Sequence, residues 1–207
     1  MIPVVAAVSI FGVSYGVLAT AAGMPAWLTV VMSATVFAGS SQFAAVSILA
    51  SGGSPAAAVL SGALLNSRYL ATGTAVARVL PGGRVKRFLL AQLVVDESYV
   101  LAVNAGTPEA PDAKTLITSG AALWTGWLAG SAIGALLGPV LGDPDKLGLD
   151  AAFPALFVAL LWPMLDRRPA IRAALAGLAA AAVLLPFTSP GVALAGAAVA
   201  GLAVMRK

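Results

Sequence analysis

Long apolar stretches separated by short turn signals run along the whole chain. The first 67 residues hold no charged side chain, and the segments 23–25 and 51–55, rich in Gly, Ser and Pro, divide them into three stretches. A helix that crosses a bilayer needs about 20 mostly apolar residues, so each stretch predicts a membrane-spanning helix. The full chain gives eight such segments, at about 3–22, 26–50, 55–77, 88–104, 116–141, 151–165, 170–186 and 190–205.

Composition excludes the classes of soluble protein. Hydrophobic residues make up 60% of the chain and charged residues only 10%, against about 25% charged in soluble domains. The mean hydropathy is +0.97. We therefore predict an all-α, polytopic membrane helix bundle with seven or eight hydrophobic segments, forming a single transmembrane domain over residues 1–207.

The chain has no Cys and no His, which argues against zinc sites, thiol chemistry and His-based catalysis. We expect no metal, no cofactor and no enzymatic activity. The net charge of +4 comes from basic clusters between apolar stretches, a pattern typical of cytoplasmic loops rather than of nucleic-acid binding. We therefore expect the chain to lie in a lipid bilayer and to bind no nucleic acid.

The basic loops predict sidedness. The 78–87 loop, the 166–172 loop and the C-terminal Arg206-Lys207 are all basic and should face the cytoplasm. Three apolar stretches separate the first two loops, an odd number, so one of the three should not cross in the ordinary way. The stretch 88–104 is the first candidate, because Asp96 and Glu97 lie at its middle, and the short stretch 151–165 is the second. The prediction is seven crossings with one re-entrant or broken segment.

Glycines recur at a spacing of four in two regions, and each region is followed by a stretch with polar or Pro residues. This internal similarity suggests repeat halves at about 1–80 and 116–186, in an inverted arrangement with interrupted helices at a substrate site. The simpler reading is close helix packing by small residues. We favour packing for the glycines themselves: Gly12, Gly16, Gly126, Gly130, Gly134 and Gly138.

Four small or polar residues, Gly39-Ser40-Ser41-Gln42, lie in the middle of the second stretch. They predict an interrupted helix whose second half offers backbone N–H groups and a positive dipole end to an anion such as a carboxylate. The alternative is that the Ser and Gln side chains form hydrogen bonds between helices.

Charged residues inside apolar stretches are costly and need partners. Arg68, which follows Asn66 and Ser67 in the third stretch, should therefore meet Asp96 or Glu97. The pair is either structural, or it binds a substrate. In the second case Arg68 attracts a carboxylate, while an acid meets an ammonium group or carries a proton.

Asp150 and three tryptophans have simple structural readings, and only Asp150 has a functional alternative. Asp150 opens an apolar segment and is either its N-cap or a substrate ligand. Trp124, Trp127 and Trp162 fit an aromatic belt at the membrane interface.

Five motifs occur along the chain in this order: 11–16 (FGVSYG), 37–43 (FAGSSQF), 65–69 (LNSRY), 96–99 (DESY) and 148–157 (GLDAAFPALF). Together, over about residues 11–165, they resemble the AzlC family of branched-chain amino acid permeases.

This resemblance implies export of valine, leucine, isoleucine or analogues across the bacterial plasma membrane, together with a small AzlD-type membrane subunit. Substrate contacts are expected at Gly39, Ser40, Ser41, Gln42, Asn66, Arg68, Asp96, Glu97 and Asp150. Ion-gradient drive is the favoured energy source, and the alternative is the permease subunit of an ATP-driven transporter for another small amphipathic solute.

Overall fold

The computed structural model describes residues 1–141, 168–188 and 190–205, together with Val158, Trp162 and Leu165. This part of the chain is helical and contains no strand, so the all-α prediction is confirmed. Its helices are α1 (Ile2–Ala21), α2 (Ala26–Val36), α3 (Gly39–Ala50), α4 (Pro55–Asn66), α5 (Tyr69–Val76), α6 (Arg84–Ala91), α7 (Asp96–Ala105), α8 (Ala113–Leu141), α9 (Arg168–Leu184) and α10 (Pro190–Met205).

Two of the described helices, α1 and α8, are long and apolar enough to cross a membrane unbroken. The predicted segment 3–22 therefore matches α1 closely, and 116–141 lies within α8. The bent pair α6 and α7 passes the same test as one unit, with a 110° bend between its two helices.

Three predicted spans each divide into two helices. The stretch 26–50 separates into α2 and α3 at Phe37-Ala38, and 55–77 separates into α4 and α5 at Ser67-Arg68. The stretch 88–104 breaks at residues 92–95. The first break comes one residue before Gly39, so Gly39-Ser40-Ser41-Gln42 forms the first turn of α3 rather than the interruption itself.

Helices α1 and α8 approach so closely that glycine is required where they meet. A Cβ on Gly16 would collide with the Ser131 carbonyl oxygen, and a Cβ on Gly134 would collide with the Val13 carbonyl oxygen. A Cβ on Gly12 would lie only 2.7 Å from the Trp127 carbonyl oxygen. Backbone-to-backbone contact of this kind is how small residues hold helices together in lipid. The packing interpretation is confirmed for all six: Gly12, Gly16, Gly126, Gly130, Gly134 and Gly138.

The order of these contacts shows that α1 and α8 run in the same direction. Gly126 meets Val5 and Ser9, whereas Gly138, at the other end of the contact, meets Val17 and Thr20. An inverted relation between halves 1–80 and 116–186 requires these two helices to run in opposite directions. The expectation of an inverted repeat is therefore wrong for this pair.

Because α1 and α8 cross the membrane in the same direction, the chain between them must cross it an odd number of times. If 26–50 and 55–77 both cross, the stretch from α6 to the end of α7 must take the chain across as well. Its 110° bend confirms that 88–104 is not an ordinary span but a broken or re-entrant segment, as the sequence predicts. The second candidate, 151–165, lies outside the described residues apart from Val158, Trp162 and Leu165.

The chain divides into two compact units. One comprises Met1–Gln42 and Leu65–Gly142, and the other Phe43–Leu64 and Asp143–Lys207. In the first unit, Val76, Leu80, Ala102 and Leu116 form a buried apolar cluster. In the second, α9 and α10 pack against each other, and small residues are again in contact: a Cβ on Gly177 would lie 3.3 Å from the Ala197 carbonyl oxygen.

Candidate functional site

The break between α2 and α3 is held open by side chains that satisfy the end of α2. Phe37 adopts a left-handed conformation (φ 41°, ψ 51°), which ends the helix and leaves its last carbonyls without intrahelical partners. The indole Nε1–H of Trp124 donates to the Ala34 carbonyl at 3.1 Å. The Nε2–H of Gln92 donates to the Thr35 carbonyl at 2.6 Å. Residues from two other helical stretches thus stabilise this break.

The Gln42 side chain is the central buried connection of this region. Its Oε1 accepts the backbone N–H of Ala38 at 3.2 Å and the Nε1–H of Trp127 at 3.1 Å. Its Nε2–H donates to Ser33 Oγ at 3.2 Å, and Ser33 Oγ donates to Ser131 Oγ at 2.7 Å. Gln42 is fully buried. Its amide therefore connects α2, α3 and α8 by hydrogen bonds, as the alternative of hydrogen bonds between helices predicted.

Aromatic rings close the same buried region. The rings of Tyr15 and Trp127 stack with centroids 5.7 Å apart, and a Cβ on Gly39 would lie 3.1 Å from the Trp127 ring. Ser41 Oγ donates to the Ala38 carbonyl at 2.9 Å. Trp127 is buried, so the prediction that it belongs to an interfacial belt is wrong. Its ring fills the interior because Gly39 leaves room for it.

Arg68 has a different set of partners. Its Nη1 lies 2.9 Å from Asp96 Oδ2, which confirms the predicted ion pair and selects Asp96 rather than Glu97 within the described residues. Its Nη2 donates to Ser40 Oγ at 3.0 Å and to the Tyr69 hydroxyl at 3.2 Å. The guanidinium carbon lies 5.0 Å from the centroid of the Tyr69 ring, within the range of a cation–π contact.

The side chains of the pair are only partly buried, with 38% of Arg68 and 40% of Asp96 exposed. Glu97 is exposed beside them. An incoming molecule of suitable charge can therefore reach both charges without unfolding a helix.

Three helix breaks meet at this ion pair. Ser40 lies in the first turn of α3, Arg68 lies in the break before α5, and Asp96 is the first residue of α7. The N-terminus of a helix carries a partial positive charge, which stabilises Asp96 and Glu97 in the first turn of α7. Ser98 supports that turn, since its Oγ accepts the Val95 backbone N–H at 3.0 Å.

A cavity of about 430 Å³ opens next to the ion pair within the same unit. Tyr69 joins the two, because it lines the cavity and also contacts Arg68. Asn66 lines the cavity as well, and its buried Oδ1 has no hydrogen-bond partner among the described residues. The remaining lining residues are mostly apolar: Val36, Phe37, Ala38, Gly73, Val76, Ala77, Leu80, Arg87, Phe88, Ala91, Gln92 and Val94.

The structure therefore divides the expected site residues into groups. Ser40, Arg68 and Asp96 come together, and Asn66 joins them through the cavity. Gly39, Ser41 and Gln42 lie in the buried hydrogen-bonded region. Asp150 lies outside the described residues. Tyr69 was not selected from the sequence, although its position directly after Arg68 was a usable signal, because a neighbouring ring commonly contacts a guanidinium.

Comparison with known proteins identifies the family. A profile described as AzlC protein matches residues 3–141. The chain is 29% identical over 162 residues to a branched-chain amino acid transport protein, AzlC, of Bacillus subtilis; the match covers 77% of this chain and 63% of that protein. It is also 32% identical over 208 residues to an uncharacterized membrane protein of Archaeoglobus fulgidus, covering 96% of this chain and 90% of that protein.

No solved structure matches this chain. The family profile covers α1 to α8, including every described residue of the ion pair, the cavity and the buried region around Gln42. On that match the chain belongs to the AzlC family of membrane proteins.

Proposed function

We propose that this chain transports amino acids, with valine, leucine, isoleucine or their analogues as substrates. The observation that carries the proposal is a half-exposed guanidinium, Arg68, at the meeting point of three helix breaks and beside a largely apolar cavity. Transporters bind substrates at such breaks, where backbone and charge are available at membrane depth. The name of the Bacillus subtilis relative supports the same substrate class.

The charges suit both ends of an amino acid. The Arg68 guanidinium presents parallel N–H donors, which match the two oxygens of a carboxylate. Without substrate these donors are taken by Asp96 and Ser40. A substrate carboxylate that displaces Asp96 from Arg68 leaves the Asp96 carboxylate close to the substrate's ammonium group. One exchange of partners then accounts for recognition of both charges.

The cavity suits the side chain. Ligand pockets commonly measure about 300–1,000 Å³ and are lined mainly by apolar residues with a few polar groups. At about 430 Å³ this cavity is near the lower end, as a small branched substrate requires. Asn66 Oδ1 offers an acceptor for a substrate N–H, since a buried acceptor without a partner is costly. Valine-sized and leucine-sized side chains can bury their methyl groups against Val76 and Leu80.

The same exchange provides a route for coupling to an ion gradient. While Asp96 meets the substrate's ammonium group, Glu97, which is exposed next to it, is the acid that would carry a coupling proton. We propose export across the bacterial plasma membrane, driven by such a gradient and assisted by a small AzlD-type subunit.

Counterflow of labelled leucine into proteoliposomes tests the proposal. The full chain is reconstituted with and without the small subunit. Unlabelled leucine, isoamylamine (leucine without its carboxylate) and 4-methylpentanoate (leucine without its ammonium group) serve as competitors. Leucine should compete strongly and both analogues weakly.

Matched arginine variants locate the site in this assay. Arg68→Gln should abolish counterflow, while Arg172→Gln, an exposed arginine on α9, should leave it intact. Equal loss of counterflow in both variants, or strong competition by isoamylamine, would show that Arg68 does not belong to the substrate site.

The energy source is tested in cells that contain the small subunit. Export that stops with a protonophore and survives ATP depletion supports the ion-gradient proposal. Export that follows ATP instead favours a permease subunit driven by an ATPase.

A further inference from the structure

The short helix α6 differs in character from every other described helix. Its sequence, RVKRFLLA, holds three basic residues in eight positions, and none of the eight is buried. Arg78 adds a fourth exposed positive charge, and no acidic residue occurs between residues 78 and 95. The helix is also turned by 110° from the helix that follows it. Its surroundings must therefore accommodate a dense positive charge.

The exposed surface of α6 is apolar in its centre. Val85, Phe88 and Leu89 are 74%, 79% and 64% exposed. At 100° per residue they lie on one face of the helix. Leu90 lies on another side and packs against the buried cluster of Val76 and Leu80.

Charged residues border that apolar face. The positions of Arg84 and Lys86 place them on either side of Val85, Phe88 and Leu89. An apolar face bordered by Arg and Lys is the pattern of a helix that lies in the membrane interface, with its apolar side chains among the acyl chains and its charges at the headgroups. Four positive charges within ten residues cannot be accommodated in the hydrocarbon core itself without partners.

We propose that α6 lies flat at the membrane surface and binds anionic phospholipid headgroups through Arg84 and Lys86. The charge selects the partner: a basic rim without acidic residues is complementary to phosphate, and each Lys or Arg at an anionic surface adds to the attraction. Arg87 and Phe88 on the same helix also line the cavity. A lipid that fixes α6 therefore fixes one wall of that cavity.

A binding titration on the full chain in detergent tests this inference. The probes are short-chain phosphatidylglycerol, phosphatidylcholine of the same chain length, and inorganic phosphate, and the readout is the shift in thermal midpoint. The wild type should be stabilised by phosphatidylglycerol well above phosphatidylcholine, with little effect of inorganic phosphate. The difference should shrink as salt is raised, because salt screens exposed charges.

The variant Arg84→Gln/Lys86→Gln should lower the affinity for phosphatidylglycerol by about tenfold or more, and leave phosphatidylcholine binding unchanged. Arg87 is left intact because it lines the cavity. Arg172→Gln serves as the control with one exposed charge removed elsewhere. Arg84→Lys, which keeps the charge, should retain the wild-type preference and shows that the position itself tolerates substitution.

The apolar face makes a separate prediction. Val85→Ser/Leu89→Ser should weaken both lipids together, since it removes acyl-chain contact and no charge. Equal binding of the two lipids by the wild type would overturn the inference. A second outcome would also overturn it: Arg84→Gln/Lys86→Gln loses a co-purified small subunit but keeps its lipid preference. In that case α6 would be a surface that binds a protein.

Discussion

The Arg68 guanidinium and the Asp96 carboxylate meet at 2.9 Å although each lies at the break of a different helical stretch. Neither break would be stable in lipid if its charge had no partner, since an unpaired charge at membrane depth costs several kcal/mol or more. The ion pair therefore joins the two interruptions into one site. Ser40, at the third break, completes it with a hydrogen bond to the same guanidinium.

The contact between α1 and α8 predicts that Gly134→Ala destabilises the protein. The new methyl group would collide with the Val13 carbonyl oxygen and force the two helices apart. Overpacking of this kind costs about 1–3 kcal/mol. Thermal unfolding in detergent should show a lower midpoint. Gly73→Ala is the matched control, since a Cβ there meets nothing within 4 Å, and it should leave the midpoint unchanged or slightly raised.

The buried amide of Gln42 predicts a second stability effect. Gln42→Leu keeps the approximate volume but leaves the N–H groups of Ala38 and Trp127 without their acceptor. Each buried group left unsatisfied costs about 1–3 kcal/mol. Trp127→Phe is the milder comparison, because it removes one donor and Gln42 Oε1 still accepts from Ala38. The thermal midpoint should fall in the order wild type, Trp127→Phe, Gln42→Leu; the reverse order of the two variants would contradict the assignment of Gln42 as the central connection.

Much of this arrangement could be predicted from local signals. A charge in an apolar stretch requires a partner, so the meeting of Arg68 with an acid followed from the cost of the charge alone. The C-terminal end of α1 followed from Gly23 and Pro25, because a glycine with a left-handed φ of 86° followed closely by a proline does not continue a helix. The four-residue spacing of glycines predicted close packing correctly, because the missing Cβ acts through the helix's own geometry.

The remaining features depend on contacts between distant segments. The sequence does not show that Trp127 faces inward to Gln42, because an isolated Trp in an apolar stretch fits an interfacial belt equally well. The parallel direction of α1 and α8 depends on how many broken stretches cross between them, which hydropathy does not count. The cavity is formed by residues from four helical segments and the breaks between them, none of which stands out alone.

Asp112 predicts a pH dependence at the start of α8. Its Oδ1 accepts the backbone N–H of Thr115 at 2.7 Å. Hydrogen bonds from the Thr115 side chain and from this backbone N–H lower the pKa of the Asp112 carboxyl below the ordinary value of 3.8. A lowered pKa in the folded state means that the ionised form adds stability. That contribution is fully present above the ordinary pKa and is lost as the pH falls through the folded-state value.

The variant Asp112→Asn isolates this contribution. Asn also caps a helix N-terminus but does not ionise in this range. Relative to Asp112→Asn, the thermal midpoint of the wild type should stay constant from about pH 7 to about pH 5. At pH values under about 4 the wild type should lose stability relative to the variant. A difference that is constant over the whole range would contradict the cap.

Sidedness is predicted from the parity of the spans and the basic loop. If the chain crosses the membrane between α6 and the end of α7, the 78–87 loop and the 106–112 loop lie on opposite sides of the membrane, with the first in the cytoplasm. The chain has no cysteine, so Gly83→Cys and Glu109→Cys give clean single labels at exposed positions. A membrane-impermeant thiol reagent added to intact cells should label Glu109→Cys only. Labelling of both sites from one side would show that α6 and α7 turn back within the membrane.

The two acids at the start of α7 should differ in effect. Asp96 contacts Arg68, whereas Glu97 is exposed next to it. Asp96→Asn should therefore lower the apparent affinity for leucine and abolish counterflow, while Glu97→Gln should retain leucine binding and slow transport under a proton gradient. Thermal stabilisation by leucine, measured beside counterflow, separates the two effects. Identical behaviour of the two variants would contradict their separate roles.

The central claim is that the ion pair of Arg68 and Asp96 serves the substrate as well as the fold. The direct test is the variant Arg68→Gln/Asp96→Asn, which removes both charges and so leaves no unpaired charge in the membrane. Its monodispersity after detergent extraction is measured beside leucine counterflow in proteoliposomes. We predict that it folds and inserts like the wild type and does not transport. A double variant that is monodisperse and also transports leucine would show that the pair is structural only, and would contradict the account.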